Sequence, residues 1–328
     1  MKKVLMITTG GTIASRRTKA GLEPVLDSAQ LLGFVPDARR ICEVETLSLM
    51  NKDSTEMLPF DWLVMAKCIE ENYERYDGFV LCHGTDTMAF TSAMLSYLIQ
   101  NSKKPIIVTG SQKPIDMEIT DARQNLLDSF LYASSNKASG VQIVFDGTVI
   151  AGTRAKKTHT KSYNAFSTTN YPPLAVIKSG KIVQYIDRTE NKHVCFYKAL
   201  DENVELLKLV PGSSHDVLRF LLSQNDGIVV ESFGTGGVPN NFFDAIEKGV
   251  RKNKTVVMTT QVPNEGSDMA VYKVGKGIKE SLGLLEAYDM TLEAVVTKLM
   301  WVLGQSHEHD EVKRLLYTTI NCDILMNE

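Results

Sequence analysis

The 328-residue sequence predicts an α/β fold of two αβ domains: a larger N-terminal one with a mostly parallel sheet flanked by helices, and a smaller C-terminal one. Three observations carry this. Short apolar runs alternate with stretches of helical period, the runs read as strands covered on both faces, and a polar stretch without clean period spans about 178–203. In order, residues 4–7, Gly78–Cys82, 105–108 and 141–145 are the expected strands. Between them 62–76, 90–100 and Ala122–Ala133 place apolar residues at i, i+3 and i+4, as helices do. A second αβ segment follows, with strands at 227–230 and 255–258 and helices at 216–224, 241–252 and Leu292–Leu303. The expected division is a domain over 1–190, a linker over 191–210 and a domain over 211–328. Neither a repeat of fixed period nor a low-complexity tract interrupts it.

Composition narrows the function classes. With 43% hydrophobic and 23% charged residues the chain can offset its conformational entropy by burial, which argues against disorder. Lys and Arg number 36 against 39 Asp and Glu, so no charge excess favours nucleic acid or an anionic membrane as partner. The five cysteines are odd in number and scattered without a C-x-x-C pair, which suits neither a disulfide framework nor a zinc site. The apolar run at 4–7 is too short for a signal peptide, and no stretch approaches the roughly 18 apolar residues of a membrane helix. The expectation is a cytoplasmic protein acting on a small molecule.

Chemistry is expected where the strands end. Three of the first four are followed by Gly-Thr or Gly-Ser clusters, and open parallel sheets bind ligands beyond the carboxyl ends of their strands. Thr9, Thr12, His83, Thr85, Asp86, Thr109 and Ser111 should therefore converge. Hydroxyls with one carboxylate suit nucleophilic attack on a carbonyl, and glycine turns can present N–H groups to an oxyanion. The plainer reading of each turn is a helix start with Thr as cap. Nucleotide motifs fail: there is no G-x-x-x-x-G-K-[ST] and no G-x-G-x-x-G after the first strand. Phe233-Gly234-Thr235-Gly236-Gly237 reads as a tight turn, and His307-Glu308-His309 as a solvated helix start rather than a metal site. Cys82 and His83, neighbours on a strand, point to opposite faces and make a poor Cys–His pair.

Two segments, Thr9-Gly10-Gly11-Thr12-Ile13-Ala14 and His83-Gly84-Thr85-Asp86-Thr87-Met88, closely resemble the signature segments of bacterial-type L-asparaginases. The resemblance continues through Asp53-Ser54-Thr55, Thr109-Gly110-Ser111-Gln112, Gly152-Thr153-Arg154-Ala155-Lys156-Lys157, Asn170-Tyr171-Pro172 and Asp289-Met290-Thr291, covering essentially the whole chain. Without a signal peptide it looks like the cytoplasmic type I branch. The resemblance implies hydrolysis of L-asparagine to L-aspartate and ammonia through a threonine acyl-enzyme, with no metal or organic cofactor, in a homodimer or homotetramer. By motif, Thr12 matches the nucleophile, and Thr85, Asp86 and Lys157 the second catalytic cluster. Asp53, Ser54, Thr55, Thr85, Asp86 and Ser111 match substrate-binding positions, with Ser54 and Asp86 on the α-groups and the Ser111 carbonyl on the side-chain amide. A lysine beside a carboxylate can serve as the base, Thr85 then relaying the proton or positioning a water, and His83 acts as support.

Two departures stand out. Leu22 occupies the place of a tyrosine that many relatives carry on a mobile loop, and Tyr272 is the candidate replacement phenol. Lys156 and Glu231 stand where allosterically regulated relatives have other residue types, which puts cooperative activation by asparagine in doubt. The competing readings are a glutaminase-type amidohydrolase, the glutamine-deamidating amidotransferase subunit that serves glutamyl-tRNA, and a non-catalytic amino-acid sensor.

Overall fold

A computed structural model describes residues 1–18, 21–187, 193–271, 277, 279 and 282–325. The chain divides into two compact units, Met1–Lys198 and Ala199–Glu328.

The first unit opens with β1 (Lys3–Gly10), a run buried along nearly its whole length. A hairpin of β2 (Ser15–Thr18) and β3 (Gly21–Pro24) follows, with Leu22 opposite Arg17. Short helices α1 (Ser28–Gly33) and α2 (Ala38–Ile41) lead to β4 (Glu43–Lys52). Then come α3 (Pro59–Asn72), β5 (Gly78–Cys82), α4 (Met88–Leu98), β6 (Ile99–Gln100), β7 (Pro105–Thr109), α5 (Ala122–Ala133), β8 (Gly140–Phe145) and β9 (Thr148–Ala151). The unit closes with β10 (Ala155–Lys157), β11 (Phe166–Thr168), β12 (Ala175–Lys178), β13 (Lys181–Gln184) and β14 (Cys195–Phe196).

Eight strands form one sheet in the order β13-β12-β9-β8-β7-β5-β1-β4. It is mixed: β4, β1, β5, β7 and β8 run parallel, while β9, β12 and β13 add antiparallel pairings at one side. Side chains alternate faces along each strand, so Val4, Met6, Val80, Cys82, Ile107 and Val144 join Leu126, Phe130 and Ala133 of α5 in one core layer. The intervening Leu5, Ile7, Phe79, Leu81, Ile106 and Val108 are equally buried on the opposite face. After β1 the chain places β4 on one side and then crosses back to place β5 on the other. That reversal opens a crevice at the carboxyl ends of β4, β1 and β5, where an open sheet holds its ligands.

The second unit is a parallel four-stranded sheet of β15 (Val204–Lys208), β16 (Gly227–Ser232), β17 (Thr255–Thr260) and β18 (Leu285–Glu286). Helices packed in this unit include α6 (His215–Gln224), α7 (Phe243–Val250), α8 (Leu292–Leu303) and α9 (His309–Tyr317). Leu218, Leu222, Ala245 and Ile246 of α6 and α7 pack with Ile228, Val230, Val256 and Met258 of the sheet. Deep inside, the Lys298 ammonium meets the Asp323 carboxylate at 2.6 Å and the Thr318 carbonyl at 2.8 Å, with neither charged side chain exposed.

The fold class expected from the sequence is the one observed. Helices Ala122–Ala133 and Leu292–Leu303 match residue for residue, and His309 opens α9 as the helix-start reading required. Phe233 and Gly237 exchange backbone hydrogen bonds around Gly234 and Gly236, both at positive φ, which makes that segment a tight turn. The stretch 178–203, read as irregular, carries β13 and β14, and Val204–Lys208 within the expected linker is the edge strand β15. Polar solvent-facing residues on these edge strands hide the apolar continuity by which the buried strands are recognised.

Candidate active site

Glycines set the geometry at the strand ends. Gly11 stands at φ 77 and ψ −179, a backbone state open essentially to glycine alone. A Cβ on Gly11 would lie 2.4 Å from the Gly84 Cα, and one on Gly84 would lie 2.5 Å from the Ser54 hydroxyl. A Cβ on Gly110 would lie 2.3 Å from the His83 carbonyl. The Gly11 N–H also donates to the Lys52 carbonyl at 2.9 Å. Four turns, after β1, β4, β5 and β7, thus press together where a side chain would hold them apart. Thr12, Thr85 and Ser111 each directly follow one of these glycines, and Ser54 lies against Gly84.

One charged cluster stands on that framework. Lys157 Nζ, at the end of β10, donates to Thr85 Oγ1 and to Asp86 Oδ1, both at 2.7 Å. The Lys157 side chain is 17% exposed and that of Asp86 59%, so the ammonium sits in the wall while the carboxylate faces solvent. An ion pair this open contributes at most about 1 kcal/mol to stability, so its main effect is to fix where the ammonium points. Thr85 is buried, and its hydroxyl donates to Gln112 Oε1 at 3.2 Å. Gln112 Nε2 donates in turn to the carbonyls of Ser162 at 3.2 Å and His159 at 3.4 Å.

Other expected members are placed differently. Thr9 Oγ1 donates to the Cys82 carbonyl at 3.0 Å and Thr109 Oγ1 to the Val144 carbonyl at 2.8 Å, so these buried hydroxyls tie neighbouring strands rather than enter the crevice. Asp53 caps the short 3₁₀ turn Ser54–Glu56: its Oδ1 accepts from the Thr55 N–H and the Thr55 hydroxyl, both at 2.9 Å. Ser54 is buried beneath that turn, and its carbonyl accepts from Thr87 Oγ1 at 2.8 Å. The Ser111 hydroxyl turns back to the Lys113 carbonyl, leaving Ser111 only its backbone for the crevice. Tyr272 lies outside the described residues.

His83 is fully buried within a directed chain of hydrogen bonds. Trp62 Nε1 donates to Thr91 Oγ1 at 2.9 Å, and Thr91 Oγ1 meets His83 Nε2 at 3.0 Å. His83 Nδ1 meets the Gly84 carbonyl at 2.7 Å. Since the carbonyl can only accept, Nδ1 carries a proton, and with the imidazole neutral Nε2 is left to accept from the Thr91 hydroxyl. Burial lowers the imidazole to about 4, which agrees. Burial likewise pushes the Cys82 thiol up to about 12, so no reactive Cys–His pair exists here.

Sequence reading gave no role to Gln112, Asp121 or Asn125. The Asp121 carboxylate accepts from the N–H groups of Gln112 at 2.8 Å and Lys113 at 3.1 Å, while burial raises its carboxyl above the ordinary range. Asn125 Nδ2 donates to the Gly110 carbonyl at 3.0 Å. Together they hold the turn after β7 from behind. The available signal was an Asp and an Asn four apart at the start of the first helix after the Gly110 turn.

Comparison with known proteins places these residues in context. The family model "Asparaginase, N-terminal" matches residues 3–190, and "Glutaminase/Asparaginase C-terminal domain" matches 203–316. The L-asparaginase of Thermococcus kodakarensis is 37% identical over 98% of this chain and 99% of its own length. The solved thermostable enzyme of that organism superposes with a TM-score of 0.94 at 36% identity, covering 99% of this chain and 100% of that one. L-asparaginase 1 of Escherichia coli is 31% identical over 96% of both chains. A glutamyl-tRNA(Gln) amidotransferase subunit of Methanococcus maripaludis is 33% identical over 99% of this chain and 81% of its own.

Proposed function

The chain belongs to the asparaginase family, a hydrolase acting on an amide, and we propose that its substrate is free L-asparagine, cleaved to L-aspartate and ammonia through an acyl-enzyme on Thr12. The observation that carries this reading is the Lys157–Thr85–Asp86 cluster beside the Gly11–Gly84 contact. It brings the Lys157 side chain from β10 onto a hydroxyl and a carboxylate of the turn packed against the one that bears Thr12.

In this reading Thr12 Oγ1 attacks the side-chain amide carbon while its proton passes to Lys157, which enters this step as the neutral amine, because an unassisted threonine hydroxyl is a weak nucleophile. N–H groups of the glycine turns hold the developing oxyanion, each worth about 2.7–4 kcal/mol in comparable sites. The tetrahedral intermediate collapses as the amide nitrogen takes up a proton and leaves as ammonia, with the aspartyl group esterified to Thr12. Water then cleaves that ester. Ser54 and Asp86 orient the α-groups, and the Ser111 carbonyl meets the side-chain amide. Asp53 and Thr55 shape the turn beneath Ser54. Tyr272 supplies a phenol in place of the tyrosine absent at Leu22.

Asparagine fits better than glutamine, since one extra methylene moves the carbonyl out of line with Thr12, and about 1 Å of misplacement can cost 10²-fold. The amidotransferase relative supports a glutamine-directed second reading, so the assay runs both amino acids side by side. Ammonia release should be strongly selective for asparagine and unaffected by EDTA, and comparable kcat/KM on the two overturns the selectivity. Thr12→Ala and Lys157→Met should each abolish turnover with the fold intact. More than about a tenth of the rate in Thr12→Ala removes Thr12 as nucleophile, given the 10²–10⁴-fold usual for lost catalytic groups. Tyr272→Phe should lose about tenfold in kcat, and wild-type turnover there removes Tyr272 from the reaction. We place the enzyme in the cytoplasm as a homodimer or homotetramer. No described helix is long and apolar enough to cross a membrane.

A further inference from the structure

We propose that Gln112 is a positioning residue that holds the Thr85 hydroxyl as an acceptor, so that Thr85 seats the water that cleaves the acyl-enzyme rather than relaying a proton during its formation. The inference rests on the asparaginase reading above and decides between the two roles that reading allows Thr85.

Gln112 Nε2 faces two carbonyl oxygens, of Ser162 and His159, at 3.2 and 3.4 Å. The flipped amide would set its own oxygen against both, so the donor must face them and Oε1 must face Thr85. Oε1 can only accept. The single hydrogen of Thr85 Oγ1 is therefore committed to Gln112 across 3.2 Å. One lone pair of the same oxygen takes the hydrogen of Lys157 Nζ at 2.7 Å. A second lone pair remains for a group in the crevice. A hydroxyl held this way cannot pass its proton to Lys157 without breaking its bond to Gln112, but it can accept an O–H from water.

Asp121 and Asn125 make the arrangement rigid. Asp121 accepts the N–H of Gln112 itself at 2.8 Å, and Asn125 holds the Gly110 carbonyl two residues earlier at 3.0 Å. The Gln112 backbone is fixed from behind while its side chain is fixed in front. In deacylation the water oxygen bonds to the acyl carbon, the bond from that carbon to Thr12 Oγ1 breaks, and the proton given up by water restores the Thr12 hydroxyl. Thr85 holds the water in line and exchanges no proton with it.

The test is Gln112→Met, which fills similar volume but offers Thr85 no oxygen, assayed for ammonia from asparagine in rapid-mix and steady-state modes. Ammonia leaves on acylation, so a deacylation defect gives a burst near one ammonia per active site followed by slow turnover. The expected result is that burst, with kcat down by at least about tenfold, the scale of a misplaced reacting group, and KM falling with it so that kcat/KM changes little. Gln112→Glu, which still offers Thr85 an oxygen, should retain more of kcat than Gln112→Met, with melting of both near wild type. Wild-type kcat in Gln112→Met, a parallel fall of kcat and kcat/KM without a burst, or the reverse ranking of the two variants each overturns the inference while leaving the asparaginase reading intact. Wild-type protein that releases no ammonia from asparagine overturns that reading, and this inference with it.

Discussion

Acid should destabilise this protein through one imidazole. His83 titrates at about 4 in the fold against an ordinary 6.5, because burial disfavours the imidazolium and the Gly84 carbonyl offsets only part of that. Between those values the unfolded chain takes up a proton that the native one refuses. The stability supplied by neutral His83 is therefore complete above pH 6.5, declines as pH falls, and is gone below about 4. At about 1.4 kcal/mol per pH unit the loss comes to about 3 kcal/mol. Asp128 opposes it: burial raises its carboxyl from 3.8 to about 6, so native stability gains a similar amount as pH falls through 6 toward 3.8. A simple acid titration would show the two nearly cancelling. The informative comparison is with His83→Asn, whose amide N–H can donate to the Gly84 carbonyl and which does not titrate. Guanidinium unfolding at pH 7.5 and pH 4.0 should show wild type losing about 3 kcal/mol more than the variant over that interval. Equal acid sensitivity of the two proteins would refute the assignment of a neutral His83.

Three further outcomes can be measured. Gly11→Ala should cost about 2–6 kcal/mol, combining backbone strain with overpacking against Gly84, and a melting temperature within a degree of wild type would contradict it. Asp128→Asn should stabilise the protein at pH 7.5 by up to about 3 kcal/mol, with the gain vanishing by pH 4, as read from denaturant midpoints at the two pH values. Lys298→Met leaves the Asp323 carboxylate buried without its cation and should cost about 3–5 kcal/mol in unfolding experiments. Lys298→Met combined with Asp323→Leu should recover much of that, and an additive double variant would argue against the pairing.

The sequence exposed those parts of the fold that are written in a single dimension. Continuous apolar runs disclosed β1, β5, β7, β8, β16 and β17, because a strand buried on both faces is filled mostly by apolar side chains. The ten-residue β4 went unread because its run Glu43-Val44-Glu45-Thr46 mixes polar and apolar residues, as an edge strand must. In the site, the glycine turns and their hydroxyls were legible, but the partition among the hydroxyls was not. Thr9 and Thr12 look alike in sequence, and only the position of the Cys82 carbonyl shows that the Thr9 hydroxyl is already spoken for. Gln112 was hidden for a related reason, because its importance lies in two carbonyls about fifty residues further along the chain.

The Gly11–Gly84 contact has a consequence for attempts to redesign this enzyme. The two turns meet through main-chain atoms, and main chain has no rotamers to exchange and no methyl groups to trim. The gap between the Thr12 and Thr85 positions is consequently a fixed gauge, set by atomic radii rather than by packing that neighbouring substitutions could relax. A bulkier amide cannot be accommodated by widening it. Substitutions elsewhere can change what surrounds the two turns, while the spacing between the Thr12 and Thr85 positions stays constant from variant to variant.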